Sequence, residues 1–85
     1  MRRYRCIHDI IHDMLAALAE GEKGITELCL NAGIPVDRGK KIVDYLVACG
    51  LLTVSMENNR VKYRITVAGY QWIRTYQRLK ELLQT

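Results

Sequence analysis

The sequence predicts an α+β domain, mainly helical, in which three helices precede a β-hairpin and a last helix follows it. Apolar residues recur at helical spacing in the helical stretches, a pair of asparagines separates two short stretches of strand-like residues, and glycines and a proline divide the helices. The chain has 85 residues, so we predict a single domain over 1–85, small enough that its core is marginal and dimerisation would help.

The first helix is predicted from Tyr4 to about Glu20, with Gly21 as its C-cap. Its apolar residues follow the i, i+3, i+4, i+7 spacing and form one wide stripe: Ile7, Ile10, Ile11, Met14, Leu15 and Leu18. His8 and His12, four residues apart, can share a cation. They lie at the border of the stripe with no further cluster of His or Cys ligands, so we interpret them as structural and predict no metal and no cofactor.

The second and third helices are predicted to be joined by a tight turn. Ile25 to Ala32 forms the second helix, with Thr26 as its candidate N-cap, and Val36 to Cys49 forms the third. Between them, Gly33 can adopt a positive φ and Pro35 suits the entry to a helix. Two helices joined by a three- or four-residue turn that contains glycine are typical of a helix-turn-helix.

The third helix is predicted to be amphipathic, with a basic outer side. Gly39 falls on its inward side, where a glycine costs about 1 kcal/mol of helix propensity and favours a close approach to the second helix. The outer side carries Arg38, Lys40, Lys41 and Tyr45. A short helix with such a face suits DNA recognition; taken alone, it also fits an ordinary surface helix with solvated lysines.

The hairpin is predicted from Leu51–Glu57 and Arg60–Thr66, joined by two asparagines that tolerate the left-handed conformation of tight turns. Alternation in the second strand predicts one face that packs on the helices and one basic face. The packing face is Val61, Tyr63 and Ile65, and the basic face is Arg60, Lys62 and Arg64. We expect the basic face to meet nucleic acid, with a merely solvated edge as the alternative.

The positive charge of the chain is concentrated in one segment. The net charge is +4, from 13 basic and 9 acidic residues. Six of the basic residues and two of the acidic ones lie between Arg38 and Arg64, which leaves seven of each elsewhere. A localised basic surface attracts polyanions, of which nucleic acid is the usual one.

The last helix is predicted to contribute to a dimer interface over 67–84, with Thr66 as its cap. Its apolar residues are spaced by 4, 3 and 4 positions, as in an a/d seam: Trp72, Tyr76, Leu79 and Leu83. These residues either cover the first helix of the same domain or meet a second copy of the chain. We expect the second copy, because the helix projects beyond the elements that could shield it.

The remaining features concern the compartment. Cys6, Cys29 and Cys49 are widely spaced, with no Cys-x-x-Cys pair, so we expect buried, reduced thiols and leave an intermolecular disulfide open. No apolar run is long enough to span a bilayer, so no membrane partner is expected. We predict an intracellular location, cytoplasmic and nucleoid-associated.

The hairpin and the residues after it resemble archaeal winged helix-turn-helix regulators. Their hairpin closes in a Tyr-x-Ile/Leu-Thr-x-x-Gly pattern, matched here by Tyr63, Ile65, Thr66 and Gly69. The chain looks most like small members whose last helix forms an antiparallel dimer, a group that includes transcriptional regulators and chromatin and viral proteins. It departs from them in Val67-Ala68, where a charged pair is usual, and in Gly39, where a larger aliphatic residue is usual.

The resemblance implies a homodimeric regulator that binds specific double-stranded DNA sequences. The third helix would enter the major groove with Arg38 and Lys41 at bases or phosphates, and Lys40 and Tyr45 alongside. The hairpin would set Asn59, Arg60 and Lys62 against the flanking backbone or the minor groove. A general DNA-coating protein and a protein-interaction module remain alternatives. We predict no enzyme, because the sequence has no phosphate-binding glycine loop and no recognisable catalytic set.

Overall fold

Four helices and one antiparallel hairpin follow one another in the predicted order in the computed structural model, which describes residues 6–83. The elements are α1 (Ile7–Ala19), α2 (Ile25–Ala32), α3 (Val36–Ala48), β1 (Leu52–Glu57), β2 (Arg60–Ile65) and α4 (Val67–Leu83). The predicted fold class, mainly helical with a hairpin between the third and last helices, is confirmed.

The apolar stripe of α1 forms the centre of the core, because its period places one face of the helix against the other elements. Buried residues from α2, α3 and the base of the hairpin pack with it: Ile10, Ile11, Met14, Leu15, Leu18, Leu28, Ala32, Ile42, Val43, Leu46, Leu52 and Tyr63. The helix begins at Ile7, three residues after the predicted start, Tyr4, which lies outside the described residues. Cys6 is its N-cap, and the Asp9 carboxylate accepts the Cys6 backbone N–H at 3.2 Å.

The start of α2 differs from the prediction, because Gly24 rather than Thr26 is its N-cap. Lys23 pairs with Tyr63 through two backbone hydrogen bonds, of 3.2 and 2.8 Å, and thereby joins the edge of the hairpin. This pairing holds the chain extended up to Gly24, whose carbonyl accepts the Leu28 N–H at 3.1 Å. The helix therefore starts at Ile25, and Thr26 lies inside its first turn.

The corner between α2 and α3 is closed as the sequence predicts. Gly33 has φ 71° and ψ 36°, the left-handed conformation of a helix C-cap. Its N–H donates to the Leu30 carbonyl at 3.2 Å, and the Ile34 N–H donates to the Cys29 carbonyl at 3.1 Å. Pro35 then precedes the first residue of α3.

Gly39 lies where α3 crosses α2. A Cβ atom at this position would overlap the Cys29 Sγ atom and come within 3.3 Å of Ile34 Cδ1. Cys29 is itself buried in the core, and its burial raises the pKa of its thiol. Cys6 and Cys49 are exposed, so the expectation of buried thiols was wrong for these two; all three cysteines are free.

The hairpin is in register from Leu52 opposite Ile65 to Glu57 opposite Arg60. Asn58 and Asn59 have φ 52° and 63°, the left-handed conformations predicted for the turn. One face, here called the inner face, carries Leu52, Val54, Met56, Val61, Tyr63 and Ile65. Its base packs on the helices through Leu52, Tyr63 and Ile65. The prediction that Val61 packs on the helices together with Tyr63 and Ile65 was wrong for Val61, which is exposed near the hairpin tip.

The last helix is fixed at its start by Thr66, as predicted. The Thr66 hydroxyl donates to the Gly50 carbonyl at 2.7 Å and accepts the Gly69 N–H at 3.1 Å. Trp72 and Ile73 then pack against the core.

The Gly39 crossing makes a testable prediction about stability. Gly39→Ala should lower the free energy of unfolding by about 1–3 kcal/mol, because the new methyl group overlaps the Cys29 thiol. In a Cys29→Ala background the overlap is gone, and the same change should stabilise by about 1 kcal/mol through helix propensity. Urea unfolding followed by circular dichroism measures both. A Gly39→Ala protein as stable as the wild type would contradict the close crossing.

Candidate nucleic-acid interface

Every residue of α3 that was predicted to contact DNA lies on the exposed side of the helix. Arg38, Lys40, Lys41 and Tyr45 are exposed, whereas Gly39, Ile42, Val43 and Leu46 are buried on the opposite side. The helical period separates the exposed residues into two flanks, because 100° lies between neighbouring positions. Lys41 lies near the middle of the exposed side, with Lys40 toward one flank and Arg38 and Tyr45 toward the other.

Lys40 is held in an ion pair within α3. Its Nζ atom donates to Asp44 Oδ1 at 3.0 Å, in the i, i+4 geometry that suits helices. The hydrogen bond to Asp44 is the main cause that raises the pKa of Lys40, with smaller contributions from the charges of Tyr63 and Asp44. Both side chains are more than half exposed, so Lys40 can readily exchange Asp44 for another anion.

Arg38 and Lys41 have no ion-pair partner among residues 6–83, and the same holds for Arg60 on the hairpin. These three cations are exposed. An unpaired exposed cation retains its full attraction for an incoming phosphate.

Tyr45 lies on the flank of α3 that faces away from the hairpin. It lines a cavity of about 490 Å³ together with the first turn of α1 and Trp72 of α4. A hydrogen bond with the Cys49 side chain is the first cause of a raised pKa for Tyr45. Tyr45 therefore lies, with Arg38, on the flank of α3 away from Lys40 and the hairpin.

The hairpin tip presents Asn59 and Arg60 to solvent. Lys62 is half-buried, with its Nζ atom 3.8 Å from Glu57 Oε1, and Arg64 Nε lies 3.9 Å from Glu22 Oε2. These ion pairs neutralise part of the predicted basic face. Because neighbouring residues of a strand point to opposite faces, Lys62 lies on the face away from buried Tyr63.

A groove separates α3 from the inner face of the hairpin. It has a volume of about 430 Å³ and is lined by Ile25, Lys40, Asp44, Val47, Val54, Val61 and Tyr63. Val54 lines this groove and was not predicted as a surface residue; Met56, two positions further along β1, is exposed on the same face of the hairpin but does not line the groove. The signal was present in the alternation of Leu52, Val54 and Met56 along β1, which sets all three on one face.

The predicted seam of α4 divides into two parts. Trp72 and Tyr76 are half-buried: their rings stack at 5.2 Å, and the Tyr76 ring lies 5.1 Å from that of His12 in α1. Leu79 and Leu83 are exposed, next to a groove of about 480 Å³ between α4 and the start of α1. Leu82, which the a/d spacing missed, is exposed beside them.

The His12 side chain of α1 contacts Tyr76 and Gln77 of α4. Its Nδ1 atom is 3.3 Å from Asp13 Oδ1, and its Nε2 atom is 3.4 Å from Gln77 Nε2. Within residues 6–83, no three His, Cys, Asp or Glu side chains are grouped so that they could hold a metal ion. None of the helices in the same range has the length and apolar character needed to cross a membrane.

A helix-turn-helix that is followed by a hairpin with cations at its tip defines a DNA-binding domain of the winged-helix class. Residues 2–84 match the family described as winged helix-turn-helix, and the chain belongs to this family. No curated protein matches the sequence.

Solved structures of the same class match nearly the whole chain. Sso10a-2, a DNA-binding protein from Sulfolobus solfataricus, is 29% identical with a TM-score of 0.74, and the match covers 95% of this chain and 99% of that one. The transcriptional regulator BldR, also from Sulfolobus solfataricus, is 22% identical with a TM-score of 0.74, over 87% of this chain and 56% of BldR. The resemblance to archaeal winged-helix DNA-binding regulators is therefore confirmed.

A bacterial structure with the same fold is homodimeric. The winged helix-turn-helix DNA-binding domain of Mb0332 from Mycobacterium bovis is 23% identical with a TM-score of 0.67, over 87% of this chain and 67% of that one. At this level of identity, the similarity to BldR and to Mb0332 shows the fold alone.

The ion pair on α3 makes a prediction that needs no ligand. Asp44→Asn should lower the pKa of Lys40 toward its ordinary value, because the carboxylate that accepts its hydrogen bond and attracts its charge is removed. NMR titration of the Lys40 side chain measures this. Glu57→Gln serves as the control, since Glu57 pairs with Lys62 instead. An unchanged Lys40 pKa in Asp44→Asn would contradict the ion pair.

Proposed function

We propose that the protein binds specific sequences of double-stranded DNA as a homodimer and regulates transcription. The observation that carries this proposal concerns Arg38 and Lys41, two exposed cations that have no ion-pair partner among residues 6–83. Both lie on a helix that follows a tight helix-turn-helix corner. Membership of the winged helix-turn-helix family and the similarity to the DNA-binding protein Sso10a-2 also support DNA as the partner.

In this proposal α3 enters the major groove. An α-helix with its side chains is about 10–12 Å across and the groove is about 12 Å wide, so one helix fits. Arg38 and Lys41 then reach base edges or the phosphates beside them, with Lys40 alongside. Tyr45, on the flank away from the hairpin, is placed to meet a phosphate or a sugar on the other side of the helix.

In this proposal the hairpin contacts the adjacent minor groove or the flanking phosphate backbone. Asn59 and Arg60 extend furthest toward the DNA, because Asn59 lies in the turn and Arg60 is the first residue of β2. Lys62 can join them if it exchanges Glu57 for a phosphate, which its long and weak ion pair permits. Phosphate neutralisation supplies most of the affinity, so binding depends strongly on salt, and few contacts determine the sequence.

Dimerisation is proposed to occur through the end of α4. Leu79, Leu82 and Leu83 are exposed apolar side chains on one side of the helix, beside the groove between α4 and α1. A second copy of α4 covers them and extends the stack of Trp72 and Tyr76. The homodimeric Mb0332 domain supports the dimeric state but not this particular interface. Two domains joined in this way read two half-sites separated by about one helical turn of DNA or more.

A general DNA-coating role is the second candidate. It is favoured by the similarity to Sso10a-2, whose description is that of a DNA-binding protein without a stated regulatory role. Affinities for one specific and one random duplex at the same salt concentration separate the two roles, because a coating protein binds both alike. In either role we propose an intracellular, nucleoid-associated protein without catalytic activity.

The contribution of α3 is tested by removing the charges of Arg38 and Lys41. Arg38→Ala with Lys41→Ala should weaken duplex binding at least about tenfold and lower the slope of log K against log salt by about 1 for each phosphate that is no longer neutralised. Fluorescence anisotropy over a salt series measures both quantities. Arg74→Ala with Arg78→Ala is the matched control, because it removes the same charge from α4. Equally weakened binding in the two double variants would remove α3 from the interface.

The dimer interface is tested by placing charges in its apolar centre. Leu79→Asp with Leu83→Asp should convert a dimer to a folded monomer, since buried unpaired carboxylates are strongly unfavourable. Sedimentation equilibrium measures the mass. Val67→Asp, which changes an exposed residue at the other end of α4, should stay dimeric. A wild-type protein that is monomeric at tens of micromolar would end this part of the proposal.

A further inference from the structure

The middle of the exposed side of α3 carries acidic as well as basic residues. Asp37 and Asp44 are both exposed, one before and one after Lys41 along the helix. Because successive residues are about 100° apart around the helix axis, Asp37 lies about 40° and Asp44 about 60° from Lys41, both on the same side of it. Arg38 and Lys40 lie toward opposite flanks. The charge along the middle of the helix therefore alternates acid, base, acid.

The two carboxylates differ in their partners. Asp44 Oδ1 accepts a hydrogen bond from Lys40 Nζ at 3.0 Å, so its charge is already engaged. The Asp37 side chain has no hydrogen-bond or ion-pair partner among residues 6–83. Lys41, one turn further along the same side, has no ion-pair partner in that range either. Asp37 and Lys41 are thus open to a molecule that approaches the helix.

The position of Asp37 has one consequence for stability and another for binding. It is the acid in the first turn of α3, where the positive end of the helix dipole stabilises a carboxylate. That interaction affects the free energy of unfolding and not the choice of DNA sequence. In a helix that only coats DNA, a carboxylate in the middle of the exposed side repels phosphates and weakens binding to every duplex. An acid there suits a helix whose middle meets base edges and whose flanks meet phosphates.

The chemistry of a carboxylate restricts which base it can meet. An ionised carboxylate only accepts hydrogen bonds, and in the major groove only the amino groups of cytosine and adenine donate them. Guanine and thymine present acceptor oxygens there, which repel a carboxylate. The amino group of adenine adjoins the N7 acceptor of the same base, whereas that of cytosine adjoins a C–H group. Cytosine is therefore the base that an unpaired aspartate suits best.

We propose that Asp37 selects a cytosine in the DNA site by accepting a hydrogen bond from its 4-amino group. The inference rests on the proposed function, in which α3 occupies the major groove. In that geometry the N-terminal residues of a recognition helix contact base edges, and Asp37 lies in the first turn of α3. Lys41, one turn further on, donates to guanine O6 and N7 in the same or the next base pair. Its charge offsets the cost of placing a carboxylate among phosphates.

A contact of this kind has a different signature from a phosphate contact. It attracts one base and repels the acceptors of others, so it creates differences in affinity between sequences. A phosphate contact by Arg38 or Lys40 strengthens binding to all sequences alike. The contribution of Asp37 is therefore measured by base preference, and it favours the specific regulator over the general coating role.

The experiment compares Asp37→Asn with the matched variant Asp44→Asn. Each replaces one exposed carboxylate of α3 with an amide of the same size, so circular dichroism should report unaltered folding. The wild type and both variants select duplexes from one randomised library, and the bound duplexes are sequenced. Fluorescence anisotropy then gives the affinity of each protein for the duplex that the wild type selects and for a random duplex, at one salt concentration.

The wild type should select cytosine at one position where Asp37→Asn selects adenine, because an amide donates to adenine N7 and accepts from its N6 amino group. In Asp37→Asn the ratio of the affinities for the selected and the random duplex should fall at least about fivefold. The affinity for the random duplex should rise, since a negative charge is removed. Asp44→Asn should keep the base preference of the wild type, because Lys40 already engages that carboxylate.

A modified duplex tests the amino group itself. N4-methylcytosine at the selected position still pairs with guanine, but a methyl group replaces the amino proton that points into the major groove. This replacement should weaken binding of the wild type at least about fivefold. Asp37→Ala, which cannot accept the hydrogen bond, should bind the methylated and unmethylated duplexes alike.

Other outcomes overturn the inference. Identical selected sequences for the wild type and Asp37→Asn would assign the Asp37 carboxylate to helix stability alone and leave the DNA-binding proposal standing. An equal change of base preference in Asp44→Asn would attribute that preference to the charge of the helix rather than to a contact by Asp37. Equal affinity of the wild type for all duplexes would favour the coating role. No duplex binding by the wild type, even at low salt, would remove the proposed function itself.

Discussion

The arrangement of the basic surface depends on how closely α3 crosses α2 at Gly39. The absence of a side chain there lets the Cys29 thiol pack directly against the α3 backbone, while Gly33 turns the chain by adopting a positive φ. A bulkier residue would move α3 outward. The buried residues of α3 would then pack less closely in the core, and the exposed cations would move relative to the hairpin. The resembling regulators usually carry a larger aliphatic residue at the position of Gly39. The close contact between Gly39 and the buried Cys29 therefore distinguishes this chain from them.

The net charge of +4 does not show which basic residues are paired with carboxylates. Ion pairs engage Lys40, Lys62 and Arg64, and within residues 6–83 the cations of this segment without such partners are at the middle and start of α3 and at the hairpin tip. Surface pairs of this kind contribute little to stability and exchange readily. In the proposed DNA complex, a phosphate replaces the carboxylate of such a pair.

Local signals predicted local structure well. Helical periodicity, the asparagine turn and the Thr66 cap depend on neighbouring residues, and all are present as expected. The prediction of Thr26 as the N-cap of α2 was wrong. The start of this helix depends on the pairing of Lys23 with Tyr63, which lies forty residues later in the sequence. Alternation set Val61 on the same face as Tyr63, but it does not reveal where the helices beneath the hairpin end. The basic residues of α3 were predicted from sequence as a set, whereas their division into two flanks and their ion pairs required the packed structure.

We propose that α3 and the hairpin tip form a single DNA-binding face. The most direct test is a titration of ¹⁵N-labelled protein with a short unlabelled duplex, followed through the backbone amide resonances. We expect the changes to concentrate on α3 from Arg38 to Tyr45 and on the hairpin from Met56 to Lys62, with little change in α2 or the middle of α1. Changes confined to α4 and the start of α1, or to α3 without the hairpin, would contradict the claim.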